Sequence, residues 1–121
     1  MLNDLDSYTD EQFCYLTTSG RVTGRSHEIE IWFALDGTTL YMLAGGRYDA
    51  DWVKNIQRNP AVQVRIRDRV FAGHGRVVDE GSDEAIRART LVGPKYDEWQ
   101  PGQPKQGWTW TALPVAVDVE P

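Results

Sequence analysis

Cysteine and histidine are scarce in this 121-residue sequence, which contains only Cys14, His27 and His74. A single cysteine excludes an intrachain disulfide and a zinc site built from several thiolates. Neither histidine has a second ligand at helical spacing, so no metal-binding motif is recognisable. Cys14 lacks a readable partner base, and no Gly-x-Ser-x-Gly motif is present. We therefore expect Cys14 to be buried in the core, and we expect neither a metal site nor a self-sufficient set of catalytic side chains.

Long apolar runs and an excess of positive charge are also missing. No stretch approaches the ~20 apolar residues that span a bilayer, and no signal-peptide pattern opens the chain. The 13 basic and 18 acidic residues give a formal net charge of −5, whereas a nucleic-acid backbone is bound by a basic surface. We expect one cytoplasmic domain over residues 1–121 with a small-molecule substrate, no nucleic-acid or membrane partner, and a monomeric or homodimeric state.

Alternation of apolar and polar residues predicts a mainly β protein. The predicted strands are residues 13–18, 27–35, 38–44, 62–67, 70–78 and 114–119. Asp36-Gly37 is a strong hairpin signal, whereas Gly73 and Gly75 indicate a bulge or a tight bend. On the strand at 27–35, Glu28 and Glu30 share one face, where we expect solvent or ion pairs with Arg65 or Arg76.

Three helices are expected in the connections between strands. A short one begins at Thr9, and a second runs over about 50–58 with Asp49 as its cap. The third covers 83–91, is capped by Ser82 and ends at Gly93-Pro94. Strands joined by tight turns, with two or three helices in the connections, favour a small antiparallel barrel of about six strands in the α+β class.

Two glycine turns carry arginines and predict an anion site. The turn at 20–25 (GRVTGR) combines free backbone N–H groups, hydroxyls and two guanidinium groups, which suit phosphate or carboxylate oxygens. Gly45-Gly46-Arg47 precedes the predicted helix start, and a helix N-terminus attracts anions. The alternative is an exposed basic hairpin without a ligand. His27 fits either a ligand contact or a surface hydrogen bond, and Trp32 fits either a ring platform or a subunit contact.

Segments 17–25 (TTSGRVTGR), 36–37 (DG), 45–46 (GG), 52–55 (WVKN), 59–60 (NP) and 62–64 (VQV), in this order and spacing, resemble the deazaflavin-dependent nitroreductase family. The resemblance runs from about residue 13 to residue 78 and more weakly to the C-terminus. It implies a split β-barrel of the flavin-reductase and pyridoxamine-phosphate-oxidase type. It also implies binding of coenzyme F-420, a deazaflavin with a phosphate and an oligoglutamate tail.

The resemblance further implies which residues contact the cofactor and the acceptor. Together with the two glycine turns, which contribute Gly24, Arg25 and Arg47, it gives the cofactor set Arg21, Val22, Thr23, Gly24, Arg25, His27, Trp32, Ala44, Gly45, Gly46, Arg47, Asp51, Trp52, Val53, Lys54 and Asn55. Tyr96 and Trp99 would shape the acceptor pocket, with Tyr96 as a candidate proton donor. Residues 43–51 depart from the family pattern, because Leu43-Ala44 stands where a lysine is frequent and the connection is shorter. Arg47 is the candidate replacement for that cation.

The expected function is therefore that of an oxidoreductase, in which reduced F-420 transfers a hydride to a small unsaturated, quinone-like or nitro acceptor. Two alternatives stay open. An FMN-binding split-barrel oxidoreductase is one, because both cofactors are phosphorylated tricycles that basic turns would hold equally well. A non-catalytic cofactor or small-molecule binding protein is the other, because no indispensable catalytic side chain is visible.

Overall fold

The computed structural model describes residues 4–120 and consists of a seven-stranded antiparallel sheet with three helices. The strands are β1 (Cys14–Ser19), β2 (Ser26–Ile31), β3 (Ala34–Asp36), β4 (Thr39–Ala44), β5 (Ala61–Ile66), β6 (Arg69–Val77) and β7 (Leu113–Val119). The helices are α1 (Asp51–Arg58), α2 (Asp83–Tyr96) and α3 (Trp108–Thr111), with 3-10 turns at Asp4–Tyr8 and Arg47–Asp49. Among residues 4–120, no helix is long and apolar enough to cross a membrane.

The sheet curls into a half-barrel because its two edge strands are neighbours in the chain. The strand order is β2-β1-β5-β6-β7-β4-β3, yet only Trp32 and Phe33 separate β2 from β3. A two-residue link spans less than about 10 Å, so the sheet must bend until its opposite edges approach each other. The predicted antiparallel barrel is thus confirmed, with seven strands instead of about six.

The prediction of one continuous strand over 27–35 is wrong, because the chain leaves the ladder at Trp32 and Phe33. The backbone of Phe33 bonds to α2 instead of to a strand. Its N–H donates to the Tyr96 hydroxyl at 3.2 Å, and its carbonyl accepts from Lys95 Nζ at 2.9 Å. The Phe33 side chain is fully buried, whereas Trp32 is 47% exposed. The break therefore sends one aromatic ring inward and leaves the other at the surface.

Alternating burial along the strands fills the concave side of the sheet. β1 alternates buried and half-buried residues, and Leu16, Val64 and Phe71 from neighbouring strands meet in the main core. Cys14 lies in this core as predicted, and burial raises the pKa of its thiol to about 12. A second cluster, which includes Ala88 and Val92, packs α2 against β4 and β7.

Close packing explains the two glycines of β6. Of the two predicted alternatives the bulge is wrong, and the tight bend stays a prediction. The β5–β6 ladder includes Gly73, and the β6–β7 ladder includes both Gly73 and Gly75, each in unbroken register. A Cβ on Gly75 would lie 2.9 Å from Cδ1 of Ile56 in α1, and one on Gly73 would lie 2.9 Å from Cγ1 of Val117. The missing side chain of Gly75 therefore lets α1 lie directly on the sheet.

One predicted helix start and one predicted helix cap are wrong, whereas the predicted range of about 50–58 for α1 is confirmed. The N-terminal turn covers Asp4–Tyr8 and ends before Thr9, whose hydroxyl donates back to the Asp6 carbonyl at 2.9 Å. Asp49 does not cap α1, because it belongs to the preceding 3-10 turn and Ala50 holds the N-cap position. Within residues 4–120, no side chain caps the N-terminus of α1.

The predicted N-cap of α2 is confirmed, but its predicted end is wrong. The Ser82 hydroxyl accepts from Ala85 N at 3.2 Å. The helix continues through Gly93-Pro94 to Tyr96, although proline lacks a donor and usually ends a helix. Packing overrides this preference, because Gly93 lies against Thr109 and the residues after Pro94 bond to Phe33.

Candidate functional site

The hairpin loop between β1 and β2, residues 20–25, forms what we call the arginine turn. Gly20 N donates to the Arg25 carbonyl at 2.7 Å, and Gly24 N donates to the Gly20 carbonyl at 2.8 Å. Gly24 has φ +76°, a conformation that favours glycine. A Cβ on Gly20 would lie 2.8 Å from His27 Nε2, so the imidazole packs directly on this backbone. The turn is therefore closed by its own backbone hydrogen bonds.

Buried Asn55 ties the arginine turn to α1. Its side chain carbonyl accepts from Arg21 N at 3.1 Å and from Arg21 Nη1 at 3.0 Å, while its Nδ2 donates to Thr18 Oγ1 at 3.1 Å. Only 3% of Asn55 is exposed. Arg21 also reaches the carboxylate of Asp51 at 3.2 Å. The guanidinium is consequently held at a defined place by the first two turns of the helix.

A cavity of about 700 Å³ lies between the arginine turn, the start of β2 and the N-terminal part of α1. This volume is within the range of ~300–1,000 Å³ that is typical of small-molecule sites. Predicted cofactor residues in its wall are Arg21, Val22, Thr23, Arg25, His27, Asp51, Trp52 and Asn55. The structure thus brings the arginine turn and the helix start together around one space, as the sequence predicts.

The groups in this wall fit a phosphorylated, partly planar cofactor. Within the part of the chain that the structure describes, the Arg25 guanidinium has no hydrogen bond or ion pair, so its donors are available to an anion. The hydroxyls of Thr23 and Ser26 add polar groups, while Ile29 and Trp52 add apolar surface. The polar groups suit phosphate and carboxylate oxygens, and the apolar groups suit a ring system.

Glu28 and Glu30, predicted to face solvent or to form ion pairs, are both exposed, and Glu28 forms an ion pair. Its carboxylate lies 3.7 Å from the guanidinium of Arg65 on the neighbouring β1–β5 surface. Glu30 instead accepts from the Tyr15 hydroxyl at 3.1 Å. Arg76, the other predicted partner, pairs with Glu84 at 2.6 Å.

A second, smaller cavity of about 190 Å³ follows the first along β2, because its wall includes Glu30 and Ile31 whereas the first includes Glu28 and Ile29. Trp32, Leu43 and Trp108 complete it. Trp32 stacks on Tyr96 at 4.8 Å between ring centroids, with an interplanar angle of 6°. Trp108 meets the same indole edge-on at 5.7 Å and 86°. We call Trp32, Tyr96 and Trp108 the aromatic cluster.

Trp108 is the site residue that sequence reasoning missed. It opens the unpredicted helix α3, and its indole Nε1 lies 3.3 Å from the place of a Cβ on Gly45. The missing side chain of Gly45, directly after β4, therefore leaves room for the indole of Trp108 from the C-terminal part of the chain. A tryptophan directly after Gly107 is the one local signal, and it does not say which element the ring will meet.

The structure places Tyr96 and Trp99, the two predicted acceptor residues, differently. The Tyr96 ring belongs to the aromatic cluster, but its hydroxyl lies 2.6 Å from the Gln12 carbonyl and 2.9 Å from that of Phe33. Burial raises the pKa of this phenol to about 12. Trp99 is buried against Trp110 and donates to the Pro104 carbonyl at 3.0 Å, and it belongs to the wall of neither cavity described above.

The remaining predicted cofactor residues do not line the main cavity. Arg47 has φ +52° and its guanidinium pairs with Glu80 and donates to the Thr111 carbonyl. Ala44 and Val53 are buried in the core. The others outside this wall are Gly24, Trp32, Gly45, Gly46 and Lys54. Their roles towards the cofactor stay predictions.

Solved structures with similar folds share little sequence with this chain. An F420-H2 dependent reductase has 21% identity and a TM-score of 0.67, covering 91% of this chain and 95% of its own. A conserved hypothetical protein from Mycobacterium tuberculosis has 15% identity and a TM-score of 0.72, covering 100% and 82%. The heme storage protein HutZ from Vibrio cholerae has 16% identity and a TM-score of 0.72, covering 100% and 92%. Likeness at these identities shows the fold.

The family is shown by the sequence itself. Residues 7–120 match the family model of the F420H2-dependent quinone reductases, which is nearly the whole chain. This match confirms the predicted deazaflavin resemblance and favours F-420 over the FMN alternative. The chain therefore belongs to the F420H2-dependent quinone reductase family, and it is an oxidoreductase whose cofactor is coenzyme F-420.

Proposed function

We propose that the protein reduces a small planar acceptor, of quinone, enone or nitro type, with reduced F-420 bound in the main cavity. The observation that carries this proposal is the arrangement along β2, where the arginine turn lies at one end and the aromatic cluster at the other. An anionic cofactor and an aromatic acceptor can therefore lie end to end on one strand edge.

The charged groups of the arginine turn bind and orient the anionic part of the cofactor. The guanidinium donors of Arg25 are not engaged by any residue from 4 to 120, and Arg21 is held in place by its bonds to Asn55. Because Asn55 fixes the guanidinium before the ligand arrives, little side-chain entropy is lost on binding. Trp52 and Ile29 supply the apolar wall against which a ring can pack. When bound, the reduced deazaflavin supplies the hydride.

The aromatic cluster is the proposed acceptor platform. The Trp32 indole is 47% exposed, and Trp108 packs edge-on against it at the smaller cavity. A planar acceptor that stacks there excludes water from one face of its ring. Reduction of a quinone to a quinol takes up a hydride and a proton. We assign that proton to solvent, because the Tyr96 hydroxyl is hydrogen-bonded to backbone carbonyls and burial raises its pKa to about 12.

Steady-state oxidation of reduced F-420 with a naphthoquinone, an enone and a nitroaromatic compound tests this proposal. We expect turnover with at least one of them. Trp108→Ala should raise the KM for that acceptor by about ten-fold, the scale of one lost aromatic contact, and leave the Kd of F-420 unchanged. Tyr48→Ala is the matched control, since Tyr48 is an exposed aromatic residue outside both cavity walls.

Two results would contradict the proposal. Binding of F-420 without turnover of any acceptor would favour the non-catalytic cofactor-binding alternative. An unchanged acceptor KM in Trp108→Ala would remove the aromatic cluster from the acceptor site while leaving the cofactor site in place.

A further inference from the structure

An acidic side chain, Asp51, lies in the wall of the cavity that would hold an anionic cofactor. Its carboxylate is 3.2 Å from Nη2 of Arg21. The two partners differ in freedom, because the Arg21 side chain is 33% exposed whereas that of Asp51 is 84% exposed. Arg21 is fixed from behind by Asn55. The pair thus consists of a fixed cation and a movable carboxylate.

Asp51 also occupies the start of α1, an eight-residue helix. It is the acidic residue of the first turn, and the N-cap residue before it is Ala50, whose methyl group cannot accept from the free N–H groups. A helix N-terminus attracts negative charge through these N–H groups and the helix dipole. The carboxylate of Asp51 therefore lies beside both features that a phosphate would use, the Arg21 guanidinium and the helix end.

The charges of the cavity wall make Asp51 distinctive. Glu28, the other acidic residue of the wall, has Arg65 beside it at 3.7 Å. Asp51 instead pairs with a cation that faces the cavity itself. Any anion that binds Arg21 must displace this carboxylate or share the guanidinium with it.

We propose that the carboxylate of Asp51 competes with the phosphate or carboxylates of F-420 for Arg21. It thereby weakens the binding of the cofactor and speeds its release. This inference rests on the proposed position of F-420 in the main cavity. It reverses the role that the family resemblance implies, in which Asp51 helps to bind the cofactor. An exposed ion pair is weak, so a ligand that carries several negative charges displaces it at small cost.

Replacing Asp51 by asparagine tests the inference, because the side chain keeps its shape and loses its charge. We expect Asp51→Asn to bind F-420 about three- to ten-fold more tightly than the wild-type protein, with a correspondingly slower dissociation rate. Binding should also become more sensitive to salt, because more of the attraction is then unopposed. Equilibrium titration followed by cofactor fluorescence measures the affinity, and stopped-flow dilution measures the release.

Asp49→Asn is the matched control. Asp49 is exposed, lies two residues earlier and does not line the cavity, so this variant removes the same charge from the same region. We expect its affinity for F-420 to stay within about two-fold of the wild type, as for most exposed charges far from a ligand. An equal gain of F-420 affinity in both variants would overturn the inference, because the loss of one negative charge anywhere in this region would then explain the effect.

Inorganic pyrophosphate separates the failure of this inference from that of the proposed function. Tighter pyrophosphate binding by Asp51→Asn supports the competition at Arg21 even if F-420 binds nowhere in this cavity. Unchanged or weaker binding of both ligands by Asp51→Asn overturns the inference, while turnover by the wild-type protein would leave the proposed function intact.

Discussion

Asn55 is the buried link between α1 and the arginine turn, and we expect Asn55→Ala to weaken both folding and cofactor binding. Its amide makes three hydrogen bonds, to Thr18 Oγ1, Arg21 N and Arg21 Nη1, at 3.0–3.1 Å. With Asn55 and Thr18 at 3% and 2% exposure, water cannot readily replace these partners. Truncation leaves the buried Thr18 hydroxyl without its donor and the backbone N–H of Arg21 without its acceptor.

The magnitude follows from these three bonds. A neutral hydrogen bond contributes about 0.5–1.5 kcal/mol, and one to a charged group about 1.5–3 kcal/mol. Partial relaxation offsets part of the sum, so we expect the free energy of unfolding to fall by about 2–4 kcal/mol. Direct removal of the guanidinium by Arg21→Ala should cost about 1.5–3 kcal/mol of cofactor affinity. Asn55→Ala, which only loosens Arg21, should cost about 1 kcal/mol, or about five-fold in Kd.

A double-mutant cycle tests the reasoning. Urea unfolding measures the stability of each variant, and F-420 fluorescence titration measures affinity under conditions in which every variant is folded. Because Asn55 acts through Arg21, Asn55→Ala should cost almost no further affinity in the Arg21→Ala background. Gln57→Ala, an exposed change on the same helix, should leave both quantities unchanged. Additive losses of affinity in the cycle would refute the positioning role of Asn55.

Two further predictions concern the fold around the site. Gly75→Ala should lower the free energy of unfolding by about 1–3 kcal/mol, because its methyl group meets Ile56 at 2.9 Å, and Ile56→Val should restore part of the loss in urea unfolding. Hydrogen bonds from Arg76 lower the pKa values of Glu84 and Asp118. The stabilisation by these two pairs is therefore fully present above the ordinary pKa values of 4.5 and 3.8. It is lost as the pH falls from those values through the lowered ones. Urea unfolding from pH 6 to about pH 3 should show this loss, and the free energy of unfolding should depend less steeply on pH in Arg76→Gln. Equal pH dependence in the two proteins would contradict the prediction.

Local patterns predicted most of the strands, because the alternation of apolar and polar residues and the turn residues are both visible within a few neighbouring positions. The Asp36-Gly37 hairpin is an example, since Gly37 adopts the expected positive φ of 63°. The break at Trp32-Phe33 escaped prediction because alternation continues through it, while its cause is a contact with α2 more than sixty residues later. The extension of α2 past Gly93-Pro94 has the same origin, since packing outweighs the local preference to stop.

The candidate site was predictable where its residues are close in the sequence or belong to strongly patterned elements. The arginine turn and the start of α1 meet as expected, since both carry recognisable polar groups next to a clear strand or helix. Trp108 was not predictable, because its place beside Gly45 depends on the path of the loop before α3. The ion pair of Arg47 with Glu80 depends likewise on how two distant turns approach each other.

The central claim is that this cavity binds a deazaflavin through the arginine turn. Anaerobic equilibrium titration of the purified protein with F-420 and FMN, side by side, tests it most directly, with Arg25→Ala as the variant that removes a guanidinium of the arginine turn. We predict that F-420 binds at least about ten-fold more tightly than FMN and that Arg25→Ala weakens F-420 binding by about ten-fold or more. Tighter binding of FMN, or an unchanged Kd for F-420 in Arg25→Ala, would contradict it.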